Sequence, residues 1–481
     1  MKFYVTTSIP YVNGSPHLGH AMEDIMADVL ARHARNQGKT TLFSTGTDEH
    51  GKKIAEKAEE KGISPEEFSK SISLEFFDLA KLLNISNDRF IRTTDPDHEK
   101  RAQAIWLALQ DDIYKKEYVG WYCTGHEEFF AESVVKANNG ICPTHNRPYE
   151  KLEEENYFFK LSKYNQQILD VIESEKFLII PKTKRNEILQ VIKDGLEDIS
   201  ISRPKDKISW GVPVPNDDSH VMYVWFEALL NYITVLGYPD GDDFKTFWPA
   251  DYQVIGKDIL RFHAAIWPGI LFALKLPLPS VLYVHGFINI NNQKMSKSLN
   301  NFIGPGTVVE KYGTDAFRYF FLRHVPSYSD GDFSWKKFHE SYQNELGNEL
   351  GNAVQRTQVM IQNYLNGDLS NLKTEEFDRS QIDKAITECR FDRALDLIWE
   401  KVRSLNQYIE DEKPWLLNKE NNQEKLKSVL LNQVNQIRQI NSLIKPFIPN
   451  TAEKIEFIFG NDKLNVPETT LFPRVDEPSN V

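Results

Sequence analysis

The sequence predicts an α/β chain in which a parallel sheet with crossover helices is interrupted by an insertion and followed by a helical bundle. Strand-like and helix-like segments alternate over about the first 115 residues. Periodicity weakens between about residues 116 and 220, and sheet-like patterns then return up to about residue 290. From about Ser341 long helical patterns dominate, and glycine becomes scarce after Gly367. A chain of 481 residues is long enough for roughly two to four domains.

A strand and a helix meet near the start of the chain. Residues 3–9 are rich in aromatic and β-branched side chains, as strands are. Apolar residues recur at steps of four, three and four from Leu18 to Val29, which predicts a helix that ends near Gly38. His17 and His20 then share a face of the first turn, where free N–H groups and the helix dipole attract anions. The junction is a candidate phosphate site, and the alternative is two surface histidines at a helix start.

A second strand is predicted over residues 40–44, and it leads into the polar loop 45–51. Ligands of parallel sheets bind beyond the carboxyl ends of the strands. We therefore expect this loop and residues 10–20 to share one pocket, with Asp48 as the candidate acid. The alternative is that Asp48 serves only the turn, because aspartate is common in turns.

Two short Cys/His pairs stand out in the insertion: Cys123 with His126, and Cys142 with His145. Each pair has two residues between its members, and the four side chains suit a tetrahedral structural zinc site that stabilises a loop-rich segment. The alternative is four scattered residues in an exposed insertion. Cys389 falls in a helical pattern and is predicted to be a small core residue.

The segment from about residue 221 to residue 290 returns to the sheet. Residues 253–258 are predicted to form a strand and a turn, and a helical pattern then runs from Ile259 to an expected end at Pro268. Taken alone, this apolar and aromatic stripe, which includes His263, indicates core more than a ligand pocket.

A polar stretch follows the apolar strand over residues 281–284. It contains Lys294-Met295-Ser296-Lys297-Ser298, which taken alone would fit a solvated turn.

The last part of the chain is predicted to be a bundle. Three long helical patterns cover residues 341–365, 380–410 and 422–445. Asn352 and Arg356 are four residues apart and share a helix face, and Trp415 lies between two helices. The alternative is a polar helix face and a tryptophan that fills a gap.

Composition excludes several classes of protein. No apolar run approaches the roughly 20 residues that span a bilayer, and the N-terminus has no signal-peptide pattern. Three cysteines do not make a disulfide framework, so a cytoplasmic location is expected. A net charge of −12 argues against general coating of nucleic acid, but local patches still permit a specific RNA partner.

Two stretches together resemble the signatures of class I aminoacyl-tRNA synthetases: His17-Leu18-Gly19-His20 and Lys294-Met295-Ser296-Lys297-Ser298, in this order and each after a strand. Over nearly its full length the chain also resembles the methionyl-tRNA synthetase family. The stretches that carry this second resemblance are residues 10–20, Tyr223-Val224-Trp225, residues 255–259 with Phe262, His263 and Trp267, His285-Gly286-Phe287, and residues 411–415.

The resemblance implies a Rossmann-type parallel-sheet catalytic domain with a connective insertion that carries a zinc knuckle, followed by a C-terminal α-helical anticodon-binding domain. The implied ranges are 1–115 and 221–290 for the two halves of the catalytic domain, 116–220 for the insertion, 291–340 for the signature loop and stem-contact region, and 341–481 for the helical domain.

The resemblance also implies a two-step reaction. Methionine and ATP, with Mg²⁺, would give methionyl-adenylate and pyrophosphate, and methionine would then pass to the 3′-terminal adenosine of tRNA(Met), including initiator tRNA. The implied catalytic residues are His17, His20, Lys294 and Lys297. The implied ATP-binding residues are His17, Gly19, His20, Gly256, Asp258 and Lys297.

Three further sites are implied by the family pattern. The methionine-binding positions match Ile9, Tyr11, Asp48, Trp225, Ala228, Tyr232, Ile259 and His263, with Asp48 receiving the α-ammonium. The anticodon-reading positions match Asn352, Arg356 and Trp415. One structural zinc per chain would be held by Cys123, His126, Cys142 and His145.

The sequence departs from the family pattern at the knuckle, where His126 and His145 stand in place of the cysteines of many relatives. Leu229 also replaces a common proline. No appended tRNA-binding module follows the bundle, so a monomer is expected. The rival hypotheses are a class I synthetase for another amino acid, a nucleotidyltransferase that makes a small cofactor, and a catalytically inactive RNA-binding paralogue.

Overall fold

The computed structural model describes residues 1–125, 128–130, 132–294, 302–370, 372 and 375–477. Within these ranges, no helix is long and apolar enough to cross a membrane.

The centre of the molecule is a six-stranded parallel sheet. Its strands, in spatial order, are Arg89–Arg92, Thr40–Thr47, Lys2–Thr7, Tyr252–Gly256, Val281–His285 and Leu178–Ile180. The strand order reverses beside Lys2–Thr7, which opens a crevice at the carboxyl ends of the central strands. Leu178–Ile180 lies in the range assigned to the insertion, yet it forms one edge of this sheet.

Helices cover the sheet because each crossover between parallel strands must pack an apolar face against it. The helices of the first part are Leu18–Asn36, Lys52–Lys61, Pro65–Leu82 and Pro96–Ala108. Two large buried clusters of apolar side chains flank the sheet, one containing Phe43 and Val254 and the other containing Leu42 and Ile255. Neighbouring strand residues thus alternate between the two cores.

The insertion is built on a separate antiparallel sheet. Its strands, in spatial order, are Ile199–Ser200, Glu150–Phe159, Ile113–Cys123 and Glu128–Phe130. A short helix, Glu132–Ala137, and a two-stranded ladder of Ile141–Cys142 with Arg147–Pro148 complete it. Helices Asn165–Glu173 and Lys182–Lys193 then lead back towards the main sheet, and Ser202–Pro204 pairs with His220–Met222.

The second half of the sheet region contains short helices after His220–Met222. They are Val224–Leu229, Asn231–Thr234, Asp242–Phe247, a 3₁₀ turn at Lys257–Ile259, a π-helical turn at Phe262–Ile266 and Trp267–Ala273. The expected helix end at Pro268 is wrong, because the chain stays helical to Ala273. Proline is tolerated there because it stands in the first turn of the last helical segment, where its missing N–H is not needed.

A three-stranded sheet follows, in the order Gln293–Lys294, Ile288–Ile290 and Gly331–Phe333. Helices Pro305–Tyr312, Thr314–Arg323 and Trp335–Ser341 accompany it. The bundle comprises Tyr342–Gly351, which is π-helical, and then Asn352–Leu365, Ser380–Thr387, Phe391–Glu412, Pro414–Lys419, Gln423–Ile444 and Pro449–Phe459. The helix predicted over residues 380–410 is broken at Cys389, which is fully buried as predicted but has a φ of +54°.

Arg318 joins the sheet region to the bundle. Its guanidinium is fully buried and lies 2.6 Å from Asp28 Oδ2, on the helix that begins after His17. It also donates to the backbone oxygens of Leu83, Pro446 and Phe447. The helix that starts at the candidate phosphate site is therefore tied directly to the turn before the last helix of the bundle.

Candidate active site

His17 and His20 cap the helix Leu18–Asn36. His17 Nδ1 accepts hydrogen bonds from the N–H groups of Gly19 and His20, at 3.1 and 3.4 Å. His20 Nδ1 accepts in turn from the N–H of His17 at 3.3 Å, and the two rings stack with centroids 3.6 Å apart. Reciprocal bonds of this kind form a capping box, here made by two imidazoles.

The capping bonds decide which ring nitrogen carries the proton. A nitrogen that accepts a hydrogen bond is unprotonated, so in the neutral rings the proton of both histidines lies on Nε2. Desolvation, together with nearby His17 and His285, lowers the pKa of His20 well below its ordinary value. At neutral pH His20 is therefore an uncharged donor at a helix N-terminus, where the helix dipole favours phosphate.

Glu23 is a residue of this pocket that the sequence did not single out. Its buried carboxylate accepts from the N–H and hydroxyl of Ser8, at 2.7 and 2.5 Å, and from His285 Nε2 at 2.8 Å. His285 Nδ1 donates to the backbone oxygen of Gly286. Burial lowers the pKa of His285, but the hydrogen bond and charge of Glu23 outweigh burial, so the net pKa is raised. Both ring nitrogens face oxygen acceptors, an arrangement that favours the positively charged ring.

Gly256 ends the central strand Tyr252–Gly256 and Asp258 follows in the next turn, as predicted from the sequence. A Cβ atom on Gly256 would lie 2.9 Å from Asp258 Oδ1 and 3.8 Å from the His285 ring. Glycine therefore leaves the space in which a flat ligand can approach this backbone.

The hairpin formed by Ile288–Ile290 and Gln293–Lys294 is tethered next to this strand end. Lys257 Nζ lies 2.7 Å from both carboxylate oxygens of Asp330, and Asp330 accepts from the N–H of Phe287. The strand of Lys294 pairs with Ile288–Ile290, so the backbone of Lys294 lies at the edge of the three-stranded sheet. Lys297 lies outside the described residues.

The loop after the second strand meets the loop after the first. Asp48 N donates to Pro10 O at 2.9 Å, and Val12 N donates to Asp48 O at 3.1 Å, which places Tyr11 and Asp48 side by side as in a parallel ladder. The Asp48 side chain is buried, while Ile9 and Tyr11 are half-buried. The expected proximity of residues 10–20 and 45–51 is confirmed.

Trp225 and Phe262 form an aromatic wall that packs, with Tyr11, against the same core cluster. Trp225 stacks on Phe262 with ring centroids 3.9 Å apart and an interplanar angle of 15°. Tyr11, Trp225, Ile259 and Phe262 all pack against the same core cluster, which also contains Tyr232. Ala228 is buried on the same short helix as Trp225. Phe262, the stacking partner, was named among the family stretches but not as a pocket residue.

Tyr232 and His263 form a buried pair behind the aromatic wall. Tyr232 Oη lies 2.7 Å from His263 Nε2, and His263 Nδ1 lies 3.0 Å from the backbone oxygen of Ile259. The carbonyl must accept, so Nδ1 carries the proton and Nε2 accepts from the tyrosine hydroxyl. Burial lowers the pKa of His263 to about 4, so the ring is neutral at pH 7.

This neutral histidine predicts a pH dependence of stability. Between pH 6.5 and about 4 the unfolded chain binds a proton that the folded chain excludes from His263. The free energy of unfolding should therefore fall as the pH falls through this window, by up to about 3 kcal/mol for this group. Denaturant titrations at several pH values would measure the decline, which His263→Gln should reduce.

His33 provides the matched control, since burial also lowers its pKa to about 4. His33→Gln should reduce the decline as well, but only His263→Gln should change the KM for the ligand of the aromatic pocket. If both variants lose as much stability on acidification as the unchanged protein, the decline does not come from these buried neutral histidines.

A cluster of metal-ligand type is present in the insertion. Ligand atoms of Cys123, Cys142 and His145 all lie within 4.8 Å of one another, and His145 Nδ1 is 3.9 and 3.6 Å from the two sulphurs. A Cβ atom on Gly125 would lie 2.2 Å from the His145 ring, so glycine lets the two halves of the cluster close. His126 lies outside the described residues.

The surroundings of Cys142 favour its thiolate form. Burial raises the pKa of Cys142, but the N–H groups of His145 and Thr144 and the neighbouring Cys123 outweigh it, so the net pKa is lowered. Two cysteines and one histidine of this kind fit zinc, which prefers sulphur and imidazole ligands.

The cluster predicts that the purified protein carries about one zinc ion per chain. Cys142→Ser should lower the zinc content and the melting temperature, because a structural metal contributes to folding. Elemental analysis and a thermal melt would measure both. Cys389→Ser, a change of the buried cysteine outside the cluster, should keep the zinc. A metal-free chain with an unchanged melting temperature would contradict the prediction.

A second cluster lies in the bundle. Arg356 Nη1 is 2.6 Å from Glu410 Oε1, and its guanidinium is 5.4 Å from the centroid of the Trp415 ring. Asn352 is exposed one turn before Arg356 on the same helix. The structure thus brings Arg356 and Trp415 together from two helices, with Asn352 next to them along the helix.

Known families match this chain along most of its length. A family model described as tRNA synthetases class I (M) matches residues 3–358, and one described as the anticodon binding domain of methionyl tRNA ligase matches residues 350–472. A methionine–tRNA ligase of Thermotoga maritima is 41% identical over 471 residues, covering 95% of this chain and 75% of the relative. One of Caldanaerobacter subterraneus is 44% identical over 469 residues, covering 94% and 73%.

Solved structures agree with these matches. Methionyl-tRNA synthetase of Mycobacterium tuberculosis in complex with methionyl-adenylate superposes with a TM-score of 0.93 at 36% identity, over 98% of this chain and 100% of that one. Its apo form gives a TM-score of 0.86 at 34% identity, over 99% of each chain. The fold class and family predicted from the sequence are confirmed. The chain therefore belongs to the methionyl-tRNA synthetase family of class I aminoacyl-tRNA synthetases, and its activity is that of a methionine–tRNA ligase.

Proposed function

We propose that the crevice at the switch point of the sheet activates methionine with ATP, releases pyrophosphate and passes the methionyl group to tRNA(Met). The observation that carries this proposal is the meeting of three groups at one sheet edge. A helix N-terminus with two imidazole donors, a buried carboxylate at Asp48 and the Trp225–Phe262 wall all lie there.

The first step is in-line attack of the methionine carboxylate on the α-phosphate of ATP. The carboxylate is already a nucleophile at pH 7, so the site needs positioning and charge stabilisation more than a general base. His17 and His20 would donate from Nε2 to the phosphates, while their Nδ1 atoms hold the helix start in place. Gly19, Gly256 and Asp258 would border the nucleotide.

The leaving pyrophosphate needs positive charge in addition to these imidazole donors. Lys294 and Lys297 would supply it in this proposal. The strand that precedes them, Ile288–Ile290, pairs with Gly331–Phe333 next to Asp330. ATP would enter with Mg²⁺ on its phosphates, which neutralises part of their charge.

Methionine would lie between Asp48 and the aromatic wall. Asp48 and the backbone at Ile9 would hold the α-ammonium, and the thioether would contact Tyr11, Trp225, Ala228 and Ile259, with Tyr232 and His263 behind them. Aromatic surfaces suit a flexible, polarizable side chain. The neutral state of His263 fits the uncharged thioether side chain.

The second step transfers methionine to the terminal adenosine of tRNA(Met), initiator tRNA included. Asn352, Arg356 and Trp415 would read the anticodon, because splayed RNA bases are bound by aromatic stacking and by hydrogen bonds to their edges. Cys123, Cys142 and His145, with His126, would hold a structural zinc. The division into domains, a monomeric state and a cytoplasmic location remain predictions of the sequence.

The experiment that tests the proposal is exchange of labelled pyrophosphate into ATP with each of the twenty amino acids, without tRNA. Exchange with methionine alone is expected. Exchange with another amino acid would keep the adenylation chemistry but overturn the pocket assignment. No exchange with any amino acid, with or without tRNA, would overturn the proposed reaction.

A further inference from the structure

Glu227 bridges two histidines inside the protein. Its side chain is fully buried, with Oε1 2.8 Å from His50 Nδ1 and Oε2 2.9 Å from His98 Nε2. His98 Nδ1 is in turn 2.8 Å from the Thr234 hydroxyl. Sequence patterns do not predict this bridge, because 177 and 129 residues separate Glu227 from its two partners.

The bridge contains a buried ion pair. Burial lowers the pKa of His50, but the charge and hydrogen bond of Glu227, with smaller contributions from Glu99 and Asp48, raise the net pKa to about 10. The same contacts lower the pKa of Glu227 against the effect of burial. At neutral pH a carboxylate and an imidazolium therefore face each other away from water.

The two partners belong to opposite walls of the proposed methionine pocket. His50 follows Asp48 by two residues in the loop after the second strand. Glu227 lies between Trp225 and Ala228 on the short helix Val224–Leu229. One hydrogen bond of 2.8 Å thus joins the turn that would hold the α-ammonium to the helix that would hold the thioether.

Each wall also has supports of its own. Glu49, between Asp48 and His50, accepts two hydrogen bonds from Arg92, at 2.8 and 2.7 Å, and its backbone oxygen accepts from Trp210 Nε1. Trp225 is held by stacking on Phe262. Loss of the bridge should therefore leave both walls folded while removing the direct link between them.

We propose that Glu227 is a positioning residue that, through His50, fixes the spacing between the ammonium-binding and thioether-binding walls and so sets the affinity and chain-length selectivity for methionine. This inference rests on the proposed function of the pocket. An apolar wall alone gives weak selectivity, because one extra or missing methylene changes the specificity by only roughly 10- to 200-fold. A fixed spacing between the two walls would add selectivity for the length of the side chain.

Glu227→Gln tests the proposal in the pyrophosphate-exchange assay. Glutamine has nearly the same shape, but its amide cannot accept from both imidazoles, so one side of the bridge is lost. The KM for methionine should rise at least about tenfold while the KM for ATP stays within about twofold, a split that uniform loss of folded protein does not give. The preference for methionine over ethionine, which is one methylene longer, should also fall.

Glu227→Asp keeps the charge on a shorter side chain and should restore part of the methionine affinity. Glu345→Gln is the matched control, because it breaks a Glu–His contact of 2.7 Å with His324 far along the chain and should leave both KM values unchanged. If Glu227→Gln proves unfolded by circular dichroism, His98→Leu replaces it. His98→Leu removes the hydrogen bond between His98 and Glu227 but keeps the one with His50, and it should raise the methionine KM about threefold.

An unchanged methionine KM in a folded variant, or equal rises in the KM for methionine and for ATP, would overturn the positioning role. Wild-type protein that exchanges pyrophosphate with methionine would leave the proposed function standing in that case. Wild-type protein that gives no exchange with methionine would instead overturn the proposed function itself, so the two failures are distinguishable.

Discussion

Replacement of His20 by glutamine should lower the rate of methionine-dependent pyrophosphate exchange by about 10²- to 10³-fold, the effect typical of removing one preorganised donor from a transition state. The Nε2–H of His20 is a neutral donor fixed by the capping bond at Nδ1. Glutamine at this position can still accept the capping bond from the His17 N–H, as it does in ordinary capping boxes. The variant therefore keeps the structural cap but moves the donor from the rigid ring to a rotatable amide, so it tests the fixed position of the donor.

The melting temperature of His20→Gln should stay close to that of the unchanged protein, and the loss should appear in kcat more than in the KM for methionine. His33→Gln changes a histidine on the same helix, where the ring lies 2.9 Å from Gln37, and should leave the exchange rate almost unchanged. An exchange rate of the His20 variant within about threefold of the unchanged protein would contradict a role at the phosphates.

Trp415→Ala should reduce kcat/KM for aminoacylation of tRNA(Met) by about 10- to 100-fold, because stacking of one base on an aromatic ring is worth about 1–3 kcal/mol. The ring also supports the guanidinium of Arg356, 5.4 Å from its centroid, so the substitution removes a surface and loosens a second contact. Pyrophosphate exchange without tRNA should not change, since the adenylation pocket lies in the sheet.

Measurement of both reactions on the same preparation isolates this effect. Phe457→Ala removes an exposed aromatic ring from another helix of the bundle and should leave aminoacylation intact. Equal losses of exchange and aminoacylation in the Trp415 variant would contradict an anticodon role and indicate damage to the fold.

The sequence predicts the local parts of the site well. The strand, the helix start and the shared face of His17 and His20 depend on residues within a few positions of one another. The same is true of the strand ends that bring Asp48 and Tyr11 together, because parallel strands must finish at one edge of the sheet. Local periodicity and turn chemistry carry this information.

Contacts between distant residues could not be predicted in this way. Glu23 meets His285 across 262 positions, and Glu227 meets His50 across 177, so neither pair leaves a periodic signal. The helical pattern also predicts a regular helix where the structure has a π-helical turn, at Phe262–Ile266. The edge strand Leu178–Ile180 was missed because its three residues are too short to show alternation.

The buried guanidinium of Arg318 has a consequence for how the whole molecule melts. If the bundle unfolded by itself, Arg318 would lose the carbonyl oxygens of Pro446 and Phe447, while Asp28 held it in place inside the sheet region. A buried charged group that loses its hydrogen-bond acceptors destabilises the folded state by about 1–3 kcal/mol or more. The unfolding of one part thus destabilises the other, and heat should disrupt sheet and bundle in a single cooperative transition.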